Sequence, residues 1–233
     1  MQDHANSGET VRLTDLSYED WLEHAFGHEV RIQQAAWFFD QNCDWWDPPP
    51  AIALAYLTRL FENPEKSLHW YSDSQIAQGL TYLVNTSASG DNGWFSSTAV
   101  TIEARVRCVE ATASLFAQLF EPRCTPYLSY LSETDPGSLN GVCYMWFDAF
   151  PCLALPGDPN LPRMQEAALR TMTRILGFQS PACQESALHG LGHWQRGHAR
   201  QVCAIIDGFL TTNPQIDPRL ISYAKSARCG CVL

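Results

Sequence analysis

The stretch LPRMQEAALRTMTRILGFQSPACQESALHGLGHW, residues 161–194, decides the fold class. Met164, Ala168, Met172 and Ile175 stand at offsets 0, 4, 8 and 11, and Cys183, Ala187, Leu191 and Trp194 repeat those offsets 19 positions later. Such spacing places each set on one side of a helix, as a single apolar stripe. Between them, Ser180-Pro181 writes a helix start: an oxygen acceptor at the N-cap, then proline at a position whose N–H has no partner to lose. Both helices carry Glu at the third position of the pattern, Glu166 and Glu185. Neither can bury its stripe alone, so antiparallel stacking on neighbours is expected.

The same punctuation recurs outward from this segment. Asp47-Pro48, Thr125-Pro126, Asp158-Pro159 and Asp217-Pro218 repeat the cap-proline start, Ser72 with Gln75 forms a capping box, and Ser17 with Asp20 begins another helix. These signals predict an all-α chain of about ten helices, at 17–27, 30–41, 48–62, 72–86, 98–120, 126–132, 137–150, 159–177, 181–195, 198–212 and 217–228. No stretch alternates apolar and polar residues over a strand's length, so no sheet is expected. Residues 1–16 are read as a disordered arm, 17–233 as a single helical-repeat domain, and SASGDNGWFSS at 87–97 as a loop insertion.

Composition narrows the function classes. The 233 residues carry 15 basic and 25 acidic side chains, a formal charge of -10, which disfavours nucleic acid and anionic membranes as partners. Charged residues make up only 17%, against roughly 25% in ordinary soluble domains, so much of the surface is neutral or apolar and suited to a protein partner. The start MQDHANSGET has neither a basic nor an apolar signal region, and a cytoplasmic location is expected. Nine cysteines, an odd count mostly set in apolar patterns, read as reduced thiols. Cys229 and Cys231 in the terminal CGCVL read as a frayed tail.

MQEAALRTMTRIL and CQESALHGLGHW resemble the helix of HEAT-type (armadillo-like) repeats, in which an apolar residue, a polar one, Glu, two small residues and a later Leu-Gly recur. Leu191 and Gly192 fall on the Leu-Gly, Ala187 on a small position, and His189 and His193 where the repeats carry exposed Arg. The 19-residue spacing is shorter than that between equivalent helices of successive repeats. The resemblance covers residues 159–228 and implies an α-solenoid or compact helical stack with a protein-binding role.

Two constellations could carry chemistry. HAFGH at 24–28 and HGLGH at 189–193 share H-x-x-G-H, each followed three residues later by arginine, Arg31 and Arg196. Imidazoles at i and i+4 project from one helix face, the geometry a zinc ion uses, and Glu185 extends the ridge at i−4. Neither box has the Glu that follows the first His of a zincin helix. By the 100° helical step, Glu185 lies about 200° from Cys183, so the ridge is expected on the solvated face, with Glu185, His189, His193 and Arg196 as candidate binding-surface residues. The second constellation is aromatic. WFFDQNCDWWDPPP at 37–50 offers Trp45 and Trp46 beside Asp44 and Asp47 as hot-spot anchors for a basic partner, Trp94 and Phe95 in the loop are further candidates, and CYMWFDAFP at 143–151 reads as buried core.

No G-x-S-x-G, P-loop or dinucleotide fingerprint occurs. The leading expectation is thus a non-catalytic, cofactor-free protein-binding α-solenoid, such as an immunity-type inhibitor or adaptor holding a basic protein. The alternative is a zinc-dependent hydrolase using Glu185, His189 and His193, with His24 and His28 brought alongside. A helical-repeat DNA-repair enzyme is a third reading, disfavoured by the net charge.

Overall fold

At Ser180 the chain does what its sequence predicts: the hydroxyl accepts from the Cys183 N–H, Pro181 occupies the first turn, and a helix follows. Asp217 caps the last helix in the same way, accepting from the Arg219 N–H, and Thr101 and Ser17 cap two more. In the computed structural model, which describes residues 12–31, 34–40, 43–84, 97, 99–131, 137–151 and 157–232, these starts order an α-helical fold. The helices are α1 Tyr18–Phe26, α2 Pro50–Glu62, α3 Pro64–Leu68, α4 Asp73–Val84, α5 Ile102–Leu115, α6 Glu121–Arg123, α7 Ser138–Tyr144, α8 Trp146–Ala149, α9 Leu161–Leu176, α10 Pro181–Thr212 and α11 Pro218–Arg228. Among the described residues, no helix is long and apolar enough to cross a membrane.

Several expected elements change. Among the described residues of the helix expected over 30–41 there is a 3₁₀ turn, Trp37–Phe39, because Trp37 and Phe38 turn into an aromatic cluster with His24, His28 and Tyr82. Among the described residues of 126–132 the helical element is the 3₁₀ turn Ser129–Leu131. The helix over 137–150 breaks at Met145 into α7 and α8. The 98–120 helix begins at Ile102, and α5 passes into a π-helical turn, Phe116–Phe120, before α6. Pro122 has no N–H to give the Gln118 carbonyl, which disrupts the ordinary ladder there. Conversely, the helices expected at 181–195 and 198–212 are one, α10, bent at His198 (φ -135°, ψ 33°).

A minimal sheet was not expected. β1 (Arg12–Leu13) pairs in parallel with β2 (Trp45–Trp46), and the Asp47 N–H donates to the Leu13 carbonyl at 2.8 Å. This pairing orders part of the segment read as an arm at 1–16, while residues 1–11 lie outside the described residues. Of the loop insertion at 87–97, only Ser97 lies within them.

The helices pack in succession: α2 on α5, α5 on α9, α9 on α10 and α10 on α11, with α7 and α8 closing over α10. Both apolar stripes of the deciding segment face the interior, with Met164, Ala168, Met172, Ile175, Cys183, Ala187 and Leu191 fully buried and Trp194 partly buried at the end of the second. Trp146 is buried too, edge-on to Phe61, Phe116 and Phe120. Met145, expected in this core, is instead about half exposed because it occupies the break between α7 and α8.

Candidate metal centre

Gly190 determines how closely α8 can approach α10. A Cβ at this position would lie 2.5 Å from the Phe147 Cβ and 2.9 Å from the Met172 Sδ, so only glycine admits the contact. The next residue on α8 is Asp148, and the approach brings its carboxylate to the two histidines of HGLGH. Asp148 Oδ1 lies 3.1 Å from His189 Nε2 and 3.0 Å from His193 Nε2. The two Nε2 atoms are themselves 3.1 Å apart, which closes a nearly equilateral triangle of donor atoms.

Proton accounting shows what that triangle needs. A neutral imidazole nitrogen carries either a proton or a lone pair. With protons on both Nε2 atoms the histidines repel each other. With one, the other Nε2 sets its lone pair against the carboxylate, and with none all three contacts are repulsive. A cation at the centre satisfies all three at once. An ion about 2.05 Å from each atom would sit about 1 Å above their plane and subtend angles of about 100°, between octahedral and tetrahedral values.

His189 is fully buried, and its other nitrogen, Nδ1, lies 2.6 Å from the Tyr223 hydroxyl on α11. That hydroxyl lies 3.1 Å from the hydroxyl of Tyr144. If Nδ1–H donates to Tyr223 and Tyr223 donates to Tyr144, the Nε2 lone pair is left for the triangle. Burial and the neighbouring Tyr144 hydroxyl raise the Tyr223 pKa far above the ordinary phenol value, so Tyr223 stays a neutral phenol. Tyr130 stacks on its ring with centroids 4.4 Å apart.

The outer edge is open. The His193 side chain is 43% exposed and that of Asp148 28%, which leaves room for a ligand from solvent. Three protein ligands with an open position is the pattern of catalytic zinc sites, whereas structural sites are closed by four.

Glu185 and His189 overturn the expectation of a solvated ridge. Both are fully buried, because α7, α8, α9 and α11 surround the first half of α10 and leave it no solvent face there. Nor is Glu185 the carboxylate of the cluster. Its oxygens accept the backbone N–H groups of Ser129 and Tyr130 at 2.8 and 3.0 Å. Burial raises its pKa, opposed by these two hydrogen bonds. The carboxylate of the cluster is Asp148, from the 143–151 stretch whose pattern reads as buried core.

The remaining candidates disperse. His193 and Arg196 are exposed, as expected. His24 and His28 do not join the cluster; His28 stacks on Trp37 at 4.0 Å and donates from Nε2 to the His24 carbonyl. Trp46 is buried at 3% exposure between Trp21 and Tyr56, so it anchors β2 to α1 and α2 and presents no surface. Asp44 and Asp47 are exposed. Trp45 enters the pairing through its backbone, and Trp94 and Phe95 lie outside the described residues. Cys229 and Cys231 are exposed, but the tail is held: the Cys231 N–H donates to the Ser226 carbonyl and Val232 packs toward Gly192.

Comparison with protein-family models, with curated proteins and with solved structures gives no match for this chain.

Proposed function

We propose that this chain is a metal-dependent hydrolase that holds one zinc ion through Asp148 Oδ1, His189 Nε2 and His193 Nε2. The observation that carries the reading is the triangle of donor atoms, 3.0 to 3.1 Å on a side, which no protonation of neutral histidines satisfies. An ion held by these three residues would lower the pKa of a water in its open position toward neutrality and would polarise the substrate bond under attack. With Oδ1 on the ion, Asp148 Oδ2 would be the carboxylate oxygen left over to accept that water's proton. The test is elemental analysis of the untagged protein, purified without chelator, beside His193→Ala and Asp148→Ala. About one ion per chain, lost in both variants, supports the reading and also distinguishes zinc from iron, which two histidines and a carboxylate can likewise bind. Wild-type protein that takes up neither ion at micromolar concentration overturns it.

A second reading, a HEAT-like repeat scaffold that holds a basic protein partner, draws support from other features. Helices α2, α5, α9, α10 and α11 pack one on the next, the packing mode of helical repeats. Trp70 is 83% exposed and Phe39 60%, while Asp44 and Asp47 remain on the surface. Capture of a lysine-rich protein that weakens with salt and with Asp44→Asn/Asp47→Asn would support it. Absence of capture at low salt counts against it.

A further inference from the structure

Arginine is the residue on which this molecule spends its acids. Arg107 is held by Glu62, Arg170 by Glu110 and Glu166, and Arg228 by Asp207. Arg219 on α11 is likewise paired with Asp217. With a net charge of -10, an unpaired guanidinium on this surface is the exception. Arg196 is one: it is exposed and makes no ion pair among the described residues.

Its position gives the exception meaning. Arg196 follows His193 at i+3 on α10, where helical neighbours have Cβ atoms about 5–6 Å apart. Side chains on a helix lean toward its N-terminus, which directs Arg196 toward the turn that carries His193. The bend of α10 falls at His198, beyond both residues, and leaves their helical relation intact. Arg200 and Arg174 also lack ion pairs among the described residues, but Arg200 lies past the bend and Arg174 ends α9.

We infer that the centre takes a phosphate monoester, with one phosphoryl oxygen on the metal ion and two others in the fork of Arg196; this rests on the metal reading proposed above. A guanidinium engages two oxygens in parallel, so a ligand shared with the ion must offer three. A phosphoryl group has them, whereas a carboxylate has two. The ion and Arg196 together supply the local positive field that an acidic protein otherwise denies to an anion. In the reaction the metal-bound water oxygen forms a new P–O bond as the ester P–O bond breaks. One water proton passes to Asp148 and on to the departing alkoxide, giving inorganic phosphate and an alcohol.

The experiment has two stages, so that failure of the metal reading and failure of this inference are distinguishable. Cobalt(II) is first titrated into the chelator-treated protein and its visible bands recorded; absence of one-to-one binding overturns the metal reading and this inference with it. Inorganic phosphate, and acetate in parallel, are then titrated into the cobalt-loaded protein. Phosphate is expected to perturb the bands, and Arg196→Gln to weaken that effect tenfold or more while leaving cobalt affinity unchanged. Arg196→Lys is expected to recover part of the loss, Arg200→Gln to behave as wild type, and acetate to bind more weakly and without regard to Arg196. Phosphate that leaves the bands unmoved, or that binds Arg196→Gln as tightly as wild type, overturns the inference and leaves the metal site standing.

Discussion

The hydroxyl of Tyr223 stands 2.6 Å from Nδ1 of His189, so α11 bears on which nitrogen of a buried imidazole faces Asp148 and His193 with a lone pair. An outer-shell partner of this kind fixes both the tautomer and the ring orientation of a ligand, and its loss typically costs roughly 10–100-fold in metal affinity. Tyr223→Phe keeps the stack with Tyr130 and removes only the hydroxyl. Chelator competition is therefore expected to show zinc held 10–100-fold more weakly by Tyr223→Phe, on the same principle, and a smaller loss for Tyr144→Phe, which touches His189 only through its ring. Equal affinity in Tyr223→Phe and wild type would contradict the role given to this bond.

Gly190 and Gly208 lie on the same helix and make opposite predictions. At Gly190 an added methyl meets Phe147 and Met172, whereas at Gly208 nothing lies within 4 Å. Gly190→Ala is expected to cost about 1–3 kcal/mol by overpacking, and to weaken metal binding as well, because the strain falls on the residue beside Asp148. Gly208→Ala should stabilise by up to about 1 kcal/mol, the ordinary gain of alanine over glycine within a helix, and leave metal affinity unchanged. Urea unfolding of both variants, each with and without zinc, checks the pair.

The fold class was legible because Met164 through Leu191 write two stripes at helical period and a capped proline start between them, and those stripes are buried as expected. The candidate metal site was half legible. His189 and His193 stand at i and i+4, but Asp148 arrives from a separate helix 41 residues earlier, through a glycine contact that no local pattern announces. Glu185 is buried although it lies about 200° around α10 from Cys183, because α10 has neighbours on all sides up to Gly192. A signal for this was present: ACQESALHGLG, residues 182–192, has one charged residue and several small ones, which suits all-round burial better than an amphipathic surface. Trp46 was misread for a related reason, since the strand pairing that buries it involves residues far away in sequence.

Glu185 is a structural carboxylate, and its removal should affect the centre indirectly. Glu185→Ala leaves the N–H groups of Ser129 and Tyr130 without their acceptor, at a cost of about 1–3 kcal/mol for each group left buried and unpaired. The turn it holds carries Tyr130, the ring stacked on Tyr223. The variant is therefore expected to unfold at lower denaturant while still binding one zinc per chain, with affinity reduced less than in Asp148→Ala. Complete loss of zinc from folded Glu185→Ala would instead make Glu185 a ligand.

His24 gives the fold a pH limit separate from metal release. Burial, reinforced by the neighbouring His28 and partly offset by Asp44, pushes its pKa down from 6.5 to about 4. The folded protein thus binds this proton more weakly than the unfolded chain does. The stability that His24 contributes is present in full above pH 6.5 and is lost progressively as pH falls toward 4. Because the ring is partly exposed, the loss is discounted to the order of 1–2 kcal/mol. The groups around it are His28, Trp37, Tyr82 and Asp44, and its Nε2 meets the Tyr82 hydroxyl at 3.3 Å. Chelator-treated protein removes metal release from the comparison of unfolding midpoints at pH 7 and pH 4.5, and the difference between wild type and a His24 variant isolates the histidine. His24→Gln, which cannot titrate, is expected to lose stability at pH 7 but to show a flatter profile between these pH values than wild type, and an unchanged slope would assign the acid sensitivity to other groups.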